Sequence, residues 1–386
     1  MELQNKQIAI IGGGPGGLTL AKLLQLQGAE VKVYERDLNK DARIQGSPLD
    51  LHEESGLAAL KKAGLLDAFK ASFMAGADKK LIMNPKAEVF FSDHEYKPEE
   101  NFGDAHFRPE IDRGMLRKIL LESLKAGTVI WDSRFVTMEK QDKGWSLTFG
   151  NGSVVYADLV IAADGANSKI RPYLTDIKPF YSGILMLEGN ILNAAKNAPR
   201  INDLLKGGKI MAFGKGQNLL LGQKADGEIG FYASFKADEG WLNTNGIDYG
   251  NRDQLLTWFK EKYSEWAVVW EELFENTELP VIPRPIYCMP LDQSWQTMSN
   301  LTMLGDAAHV MPPFAGEGVN MAMLDALELS ERLSSADYDS IYEAIEAYEA
   351  NMRKRASAAA KESLDNGEMM HSEGSLEGIL ELFSGH

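Results

Sequence analysis

An α/β fold is predicted: a parallel, Rossmann-like sheet, an inserted antiparallel sheet with helices on one side (α+β), and a C-terminal bridging helix. Three observations predict it. The chain opens on a buried-type strand, Ile8-Ala9-Ile10-Ile11, which runs directly into Gly12-Gly13-Gly14-Pro15-Gly16-Gly17. Two later segments, Asp158 to Ala163 and Leu301 to Leu304, repeat the continuous apolar pattern of a strand buried on both faces. Between about Asp176 and Tyr287 the strand–helix alternation fails, and short strands with glycine turns replace it.

Taken in order, Leu18 to Leu26 carries Leu20, Ala21, Leu23 and Leu24 at helical spacing, and Gly28 closes it. Val31 to Tyr34 is a second strand, ending on Glu35. A helix is expected from about Glu53 to Lys62, stopped near Gly64. Lys80 to Met83 and Glu88 to Phe91 read as short strands separated by Asn84-Pro85. Arg113 to Lys125 has one apolar face, Met115, Leu116, Ile119, Leu120 and Leu124, and is expected to be helical. Thr128 to Trp131, Phe135 to Lys140 and Trp145 to Phe149 read as strands, and Asn151-Gly152 as a hairpin turn. The insertion holds strands at Gly183 to Ile191, Lys209 to Phe213, Asn218 to Gln223 and Ile229 to Lys236. A helix at about Arg252 to Tyr263 and a tryptophan-rich one to Glu275 follow. Gly318 to Leu333 is helical. Ser340 and Glu343 have capping-box spacing and open a long amphipathic helix with Ile341, Ile345, Tyr348, Met352 and Ala356 on one face.

Bulk properties narrow the function classes. A chain of 386 residues, 44% apolar and 25% charged, has room for about two or three globular domains. Its formal charge, 40 − 56 = −16, repels phosphates and argues against a nucleic-acid partner. Cys288 is the one cysteine, which rules out an intramolecular disulfide, a dithiol redox pair or a thiolate zinc cluster, and fits a reducing compartment. The first residues lack the basic region of a signal peptide, and no run approaches the ~18 apolar residues of a spanning helix. A cytoplasmic monomer without membrane insertion is expected.

The glycine stretch carries the first chemistry. Gly12, Gly14 and Gly17 fit G-x-G-x-x-G between a strand and a helix. Gly12 serves the tight turn, Gly14 the approach of a pyrophosphate, and Gly17 the packing of helix on strand. The helix N-terminus offers N–H groups and partial positive charge to the phosphates. Glu35 follows at the end of the next strand, where an acid accepts from ribose hydroxyls. This unit indicates an adenine dinucleotide without choosing between NAD and FAD.

Two further stretches bear on that choice. Asp164-Gly165-Ala166-Asn167-Ser168-Lys169-Ile170-Arg171 follows a buried strand, and reads either as a ligand-binding turn or as an ordinary capped one. Gly305-Asp306-Ala307-Ala308-His309-Val310-Met311-Pro312-Pro313-Phe314-Ala315-Gly316-Glu317-Gly318-Val319-Asn320 is longer and more specific. Asp306, at a strand end, suits the ribityl hydroxyls of a flavin. The Pro-Pro and Gly-x-Gly run suits a rigid loop close to a flat ring. The helix from Gly318 would turn its positive end to the ring edge where charge develops on reduction. Only one dinucleotide fingerprint is found, so a nicotinamide reductant has no Rossmann unit of its own.

These three motifs, in this order and spread over nearly the whole chain, resemble those of the single-component FAD-dependent aromatic hydroxylases. Ala42-Arg43-Ile44, Leu49-Asp50-Leu51-His52, Lys62-Ala63-Gly64-Leu65-Leu66 and Gly305 through Asn320 are most similar to the tetracycline-inactivating flavin monooxygenases. The resemblance implies FAD and NADPH as cofactors, and hydroxylation of a polycyclic phenolic compound by O2 through a flavin C4a-hydroperoxide. It implies a cofactor site made of Gly12, Gly14, Gly17, Glu35, Arg36, Arg43, Asp50, Arg113, Asp164, Asp306, Pro313, Gly316, Gly318 and Asn320. Glu35 is assigned to the adenosine ribose, Asp50 and Arg113 to FAD, Arg43 to the NADPH side, Asp164 to both nucleotides and Asp306 to the ribityl chain. No protein residue is expected to be catalytic in its own right, His309 and His52 included, and no metal is expected.

The substrate residues would be Glu188, Lys209, Leu221 and Phe314. Here the chain departs from the tetracycline-inactivating pattern: Glu188 replaces glutamine, Lys209 arginine, Leu221 phenylalanine and Gly230 histidine, changing both charge and shape. The expected domains are an FAD-binding one over 1–63, 98–176 and 288–322, a substrate-binding one over 64–97 and 177–287, and a C-terminal helical segment over 323–386. Met369, Met370 and Leu380 of that segment are candidates to cover the substrate mouth or simply to pack. Other readings are an oxidoreductase of the same fold acting on a different aromatic metabolite, and a flavin-binding interaction protein without turnover. The Trp-x-Trp-x-Ile-Pro segment typical of flavin-dependent halogenases is absent from the sequence.

Overall fold

The computed structural model describes residue 3 and residues 5–41, 48–95, 101–104, 107–224 and 226–384. Its five-stranded parallel sheet has the spatial order Leu301–Met303, Leu159–Ala162, Ile8–Ile11, Val31–Tyr34, Val129–Ile130. Ile8 stands beside Leu159 on one side and Val31 on the other. The strand order reverses between the first strand and Leu159–Ala162, and α/β sheets bind ligands at the carboxyl ends of such a switch point. Gly12, Asp164 and Gly305 all follow those carboxyl ends. The Pro15–Leu26 and Gly318–Ser334 helices pack on each other beside this edge.

The second large sheet has seven strands in the order Ile282–Cys288, Phe180–Ile191, Ile229–Lys236, Gln217–Gln223, Lys209–Gly214, Lys80–Met83, Val89–Ser92. Alternation along the strands gives it two faces. The rear carries Leu81, Ile210, Leu219, Leu221, Phe231, Ala233 and Phe235, in one core with residues of the Arg252–Lys262 and Glu271–Asn276 helices. The front carries Ile82, Met211, Phe213 and Leu220.

Three features depart from expectation. The sheet is mixed: Lys209 to Ala212 run parallel to Lys80 to Met83, because the 80–92 hairpin enters from an earlier part of the chain. Ile282–Cys288 is a further strand, and its Pro283 and Pro285 are tolerated because it lies at the sheet edge. The helix expected from Glu53 begins at Gly56, because Ser55 Oγ and the Gly56 amide bond instead to Asn320.

The long helix Ile341–Met370 is anchored on the parallel sheet and reaches the mixed one. Ser340 Oγ accepts from the Glu343 amide at 3.2 Å, and Glu343 reaches back to Asp339 N at 2.9 Å, one residue before the expected box position. Fully buried Glu349 accepts from Thr297 and Thr302, and Tyr348 Oη donates to Met303 O. At the far end Met370 and Ile379, from the tail helix Ser375–Ser384, pack with Ile82 and Phe213 on the front face. No helix among the described residues is long and apolar enough to cross a membrane.

Candidate functional site

The glycine turn is built by close approach. Gly12 has φ +113°, and a Cβ there would lie 2.2 Å from Ala163 O; one on Gly17 would lie 2.2 Å from Gly12 O. Side chains at either position would push the helix off the strand. Gly14, the N-cap, has open space where its Cβ would be, and no side chain caps the helix that follows. Amides at that N-terminus are therefore available to an anion. Glu35 is 2% exposed: Oε2 accepts from Gly13 N at 2.6 Å and Oε1 from Asp37 N at 3.0 Å. The acid thus fixes the turn it was expected to serve.

Arg171 fastens the second motif to the third. Buried to 6% exposure, it donates to Ala166 O within its own loop, and to Asp306 O at 2.9 Å and Ala307 O at 2.8 Å in the other. Asp164 Oδ2 accepts from Lys169 N, while its Oδ1 is buried with no hydrogen-bond partner among the described residues. Desolvation raises the Asp164 carboxyl, although Ser168 and the Lys169 amide pull the other way.

The Asp306 side chain reaches solvent from a densely packed surround. That crowding raises its carboxyl, against the charges of His309, Arg113 and Arg171. Arg113 opens the Arg113–Glu122 helix and is exposed. Pro313 is likewise exposed. Gly318 has open space at its Cβ position, and no side chain caps the helix it opens.

Other residues of the third motif face inward. Asn320 spends its amide on the protein: Oδ1 accepts from His52 N, Ser55 Oγ and Gly56 N, and Nδ2 donates to Asp50 O. It ties the 50–56 segment to the Pro-Pro loop. His309 is buried against Asp325, Nε2 to Oδ2 at 2.6 Å. Asp325 also accepts from Gly305 N and from Arg355 of the C-terminal helix. Burial disfavours charge on His309, but Asp325 outweighs it and raises the imidazole's pKa. His309 thus braces the loop through Nε2, while its Nδ1 is buried with no hydrogen-bond partner among the described residues.

A charged cluster lies beside that loop. A Cβ on Gly316 would stand 3.4 Å from both Asp50 carboxylate oxygens. Asp50 Oδ2 lies 3.2 Å from His52 Nε2, and Glu317 Oε1 lies 3.4 Å from His52 Nδ1. Burial opposes charge on His52, but hydrogen bonding and charge from Asp50 and Glu317 raise it to about 9. Asp50 pairs across a short antiparallel ladder with Glu110, whose Oε1 accepts from Lys209 Nζ.

The expected substrate residues separate. Lys209 is on the front face, half-buried beside this cluster. Glu188 carries its added charge in a pair with Arg284 Nε at 2.7 Å. Phe314 packs its ring 5.4 Å from His371 and joins the front-face apolar cluster. Leu221 is a correction: it is 4% exposed in the rear core, and the period of two places Leu220 on the front instead. Arg36 is exposed, and Arg43 lies outside the described residues. Arg171 and Glu110 were not singled out as site residues. Arg171 stood in view inside the second motif, whereas Glu110 has no local signal, because its partner is distant in sequence.

With this geometry in hand, the family described as FAD binding domain matches residues 5–211 and 293–363. Monooxygenase penA of Penicillium thymicola is 26% identical over 435 residues, covering 97% of this chain and 97% of that protein. The 3-amino-4-hydroxybenzoate 2-monooxygenase PtmB3 of Streptomyces platensis is 26% identical over 377 residues, covering 95% and 88%. Among solved structures, tetracycline destructase Tet(55) aligns at a TM-score of 0.77 with 18% identity, covering 100% of this chain and 96% of that one, a likeness of fold.

Proposed function

Because the chain belongs to the FAD-binding-domain family and is an FAD-dependent monooxygenase, we propose that it consumes NADPH to hydroxylate a polycyclic phenolic compound, tetracyclines being candidate substrates. The residues present fit the flavin. Open space at Gly14 and Gly318, the buried unpartnered Asp164 Oδ1, and the solvent-reaching Asp306 and Arg113 side chains are what such a ligand would complete. The observation that carries the reading is the Arg171 buckle. It holds the Asp164 and Asp306 loops together at the switch point, so that separate segments can grip one extended molecule.

In this reading Gly12, Gly14, Gly17 and Glu35 hold the adenosine and pyrophosphate half. Asp306 takes the ribityl hydroxyls and Arg113 adds positive charge nearby. Asp164 and Arg43 meet the reductant. When bound, FAD supplies the redox chemistry that activates O2. The protein's own contribution is placement and exclusion of water. Asn320 and His309 keep the Pro312-Pro313 loop in one position. Lys209 offers a cation to a substrate oxygen, and Leu220 and Phe314 offer apolar surface to rings. Met370 and Ile379 close the front face beside them.

The test is to purify the protein, measure FAD content, and follow NADPH and O2 consumption with a tetracycline and with simple phenols. A yellow protein whose NADPH consumption rises with a phenolic compound is the expected result. A colourless protein that FAD cannot reconstitute would overturn the cofactor site, and NADPH consumption indifferent to every phenol would overturn the substrate class.

A further inference from the structure

Glu110 is given no role in the reading above, yet it links the short Leu49–Asp50/Glu110–Ile111 ladder to Lys209 of the seven-stranded sheet. Its side chain is 1% exposed. One oxygen is bonded to Lys209 Nζ, and the other is buried with no hydrogen-bond partner among the described residues. Lys209 is 37% exposed, so the cation reaches solvent while its carboxylate partner does not. Asp50 stands opposite Glu110 on the ladder and beside Gly316 of the flavin loop. The other charged groups acting on this pair are Asp78, on Glu110 and Lys209, and Lys80, on Lys209.

We propose that Glu110 is a positioning residue that competes with the substrate for the charge of Lys209, and so selects substrates that bind through an ionised ring oxygen, a phenolate or enolate. This rests on the phenolic-substrate reading above. In the free protein Lys209 is neutralised by Glu110. When an anionic oxygen takes Lys209, the two negative groups repel, and Glu110 takes one proton from solvent. No other bond forms or breaks, and net charge is conserved. Burial already prepares the carboxyl for this. Desolvation, against the pull of Lys209 and with the push of Asp50, raises Glu110 to about 7. Below that pH Glu110 is neutral and the cation is free for the substrate; above it the two acids contend for it.

The experiment uses the full FAD-loaded chain and alizarin, a dihydroxyanthraquinone whose colour reports ionisation. Wild type, Glu110→Gln and Lys209→Met are titrated with the dye at about pH 6 and about pH 8.5, either side of the Glu110 transition. Glutamine keeps the shape and the acceptor but not the charge. The ratio of Glu110→Gln affinity to wild-type affinity is expected to rise about tenfold from the lower to the higher pH, the equivalent of about one pKa unit. Lys209→Met is expected to lose the coloured anion and to bind about tenfold more weakly.

A ratio that does not change with pH, or dye held by wild type in its neutral colour, overturns the proposal. Should Glu110→Gln fail to retain FAD, wild type alone decides. At a pH where the free dye is already ionised, near one proton taken up per dye bound supports it, and none overturns it. Phenols that bind and are oxidised with a flat ratio sink this inference alone. If neither alizarin nor any other phenol binds, the substrate class falls with it.

Discussion

His52 shows how single residues set the chemistry of this site. Its imidazole lies between Asp50 and Glu317 and is almost fully enclosed. Its pKa, raised from 6.5 to about 9, means that the pairing contributes stability in full below pH 6.5 and loses it as pH rises through 9. Asp50, lowered by His52 and Lys209 against its own burial, contributes above the ordinary carboxylate range and loses it as pH falls. The stabilising window lies between these limits. In denaturant unfolding the His52 pairing is expected to account for at most about 3 kcal/mol of the stability that wild type loses between pH 6 and pH 9.5, and a His52→Asn variant is expected to lose correspondingly less over the same range. Asp306 gives a second test at this scale. Asp306→Ala is expected to cut FAD retention after gel filtration by about tenfold or more with little change in apoprotein stability, because the carboxylate makes no hydrogen bond to described residues. Undiminished FAD content would remove Asp306 from the cofactor site. Asp306 was legible because it lies in a dense local motif, although it opens the short helix Asp306–His309 and does not end the strand, which stops at Met303. Glu110 was not, because its meaning comes from Lys209, which only the folded chain brings to it.

At the scale of elements, close packing of backbone decides more than propensity does. Gly17→Ala would ordinarily favour a helix, but here its Cβ would meet a carbonyl oxygen at 2.2 Å, and backbone cannot yield as a side chain can. The variant is expected to lose roughly 3 kcal/mol of stability and most of its FAD, read by thermal melting and flavin absorbance; wild-type values for both would show that the helix can slide. The strands Ile8–Ile11 and Leu159–Ala162 were legible because they are apolar throughout and buried along their whole length, whereas the order of the five strands is seen only in the folded sheet. The Ile282–Cys288 strand was hidden by its prolines, which an edge position excuses. Leu221 was assigned to the substrate through the resemblance alone. Leu219, Leu220 and Leu221 stand in a row, so the sequence shows no alternation of polarity there; in the structure Leu219 and Leu221 are buried in the rear core and Leu220 is half-buried on the front.

At the scale of the molecule, the C-terminal helix joins the Pro312-Pro313 loop, which would hold the flavin, to the sheet that would hold the substrate. Near its middle, Arg355 pairs with Asp325 at 2.6 Å, and Asp325 in turn holds His309 and Gly305 N. At its end, His371 is buried: Nε2 meets Ser234 Oγ and Asn218 Nδ2, and the ring packs against Phe314. Desolvation lowers the His371 pKa, so the imidazole is held neutral in this junction. The two ends are therefore coupled differently to pH and to mutation. Arg355→Met leaves Asp325 with a buried charge balanced only by His309, and is expected to cost about 3 kcal/mol in denaturant unfolding together with weaker FAD retention. His371→Phe keeps volume, removes the bonds to Ser234 and Asn218, and leaves those buried groups unsatisfied. Because it touches Phe314 and not Asp306, it is expected to spare FAD content while raising NADPH consumption that yields no hydroxylated product. Measuring FAD content and coupling on both variants separates the two couplings: if Arg355→Met spares FAD, or if His371→Phe releases it, the helix is a passive brace and does not divide its duties between cofactor and substrate.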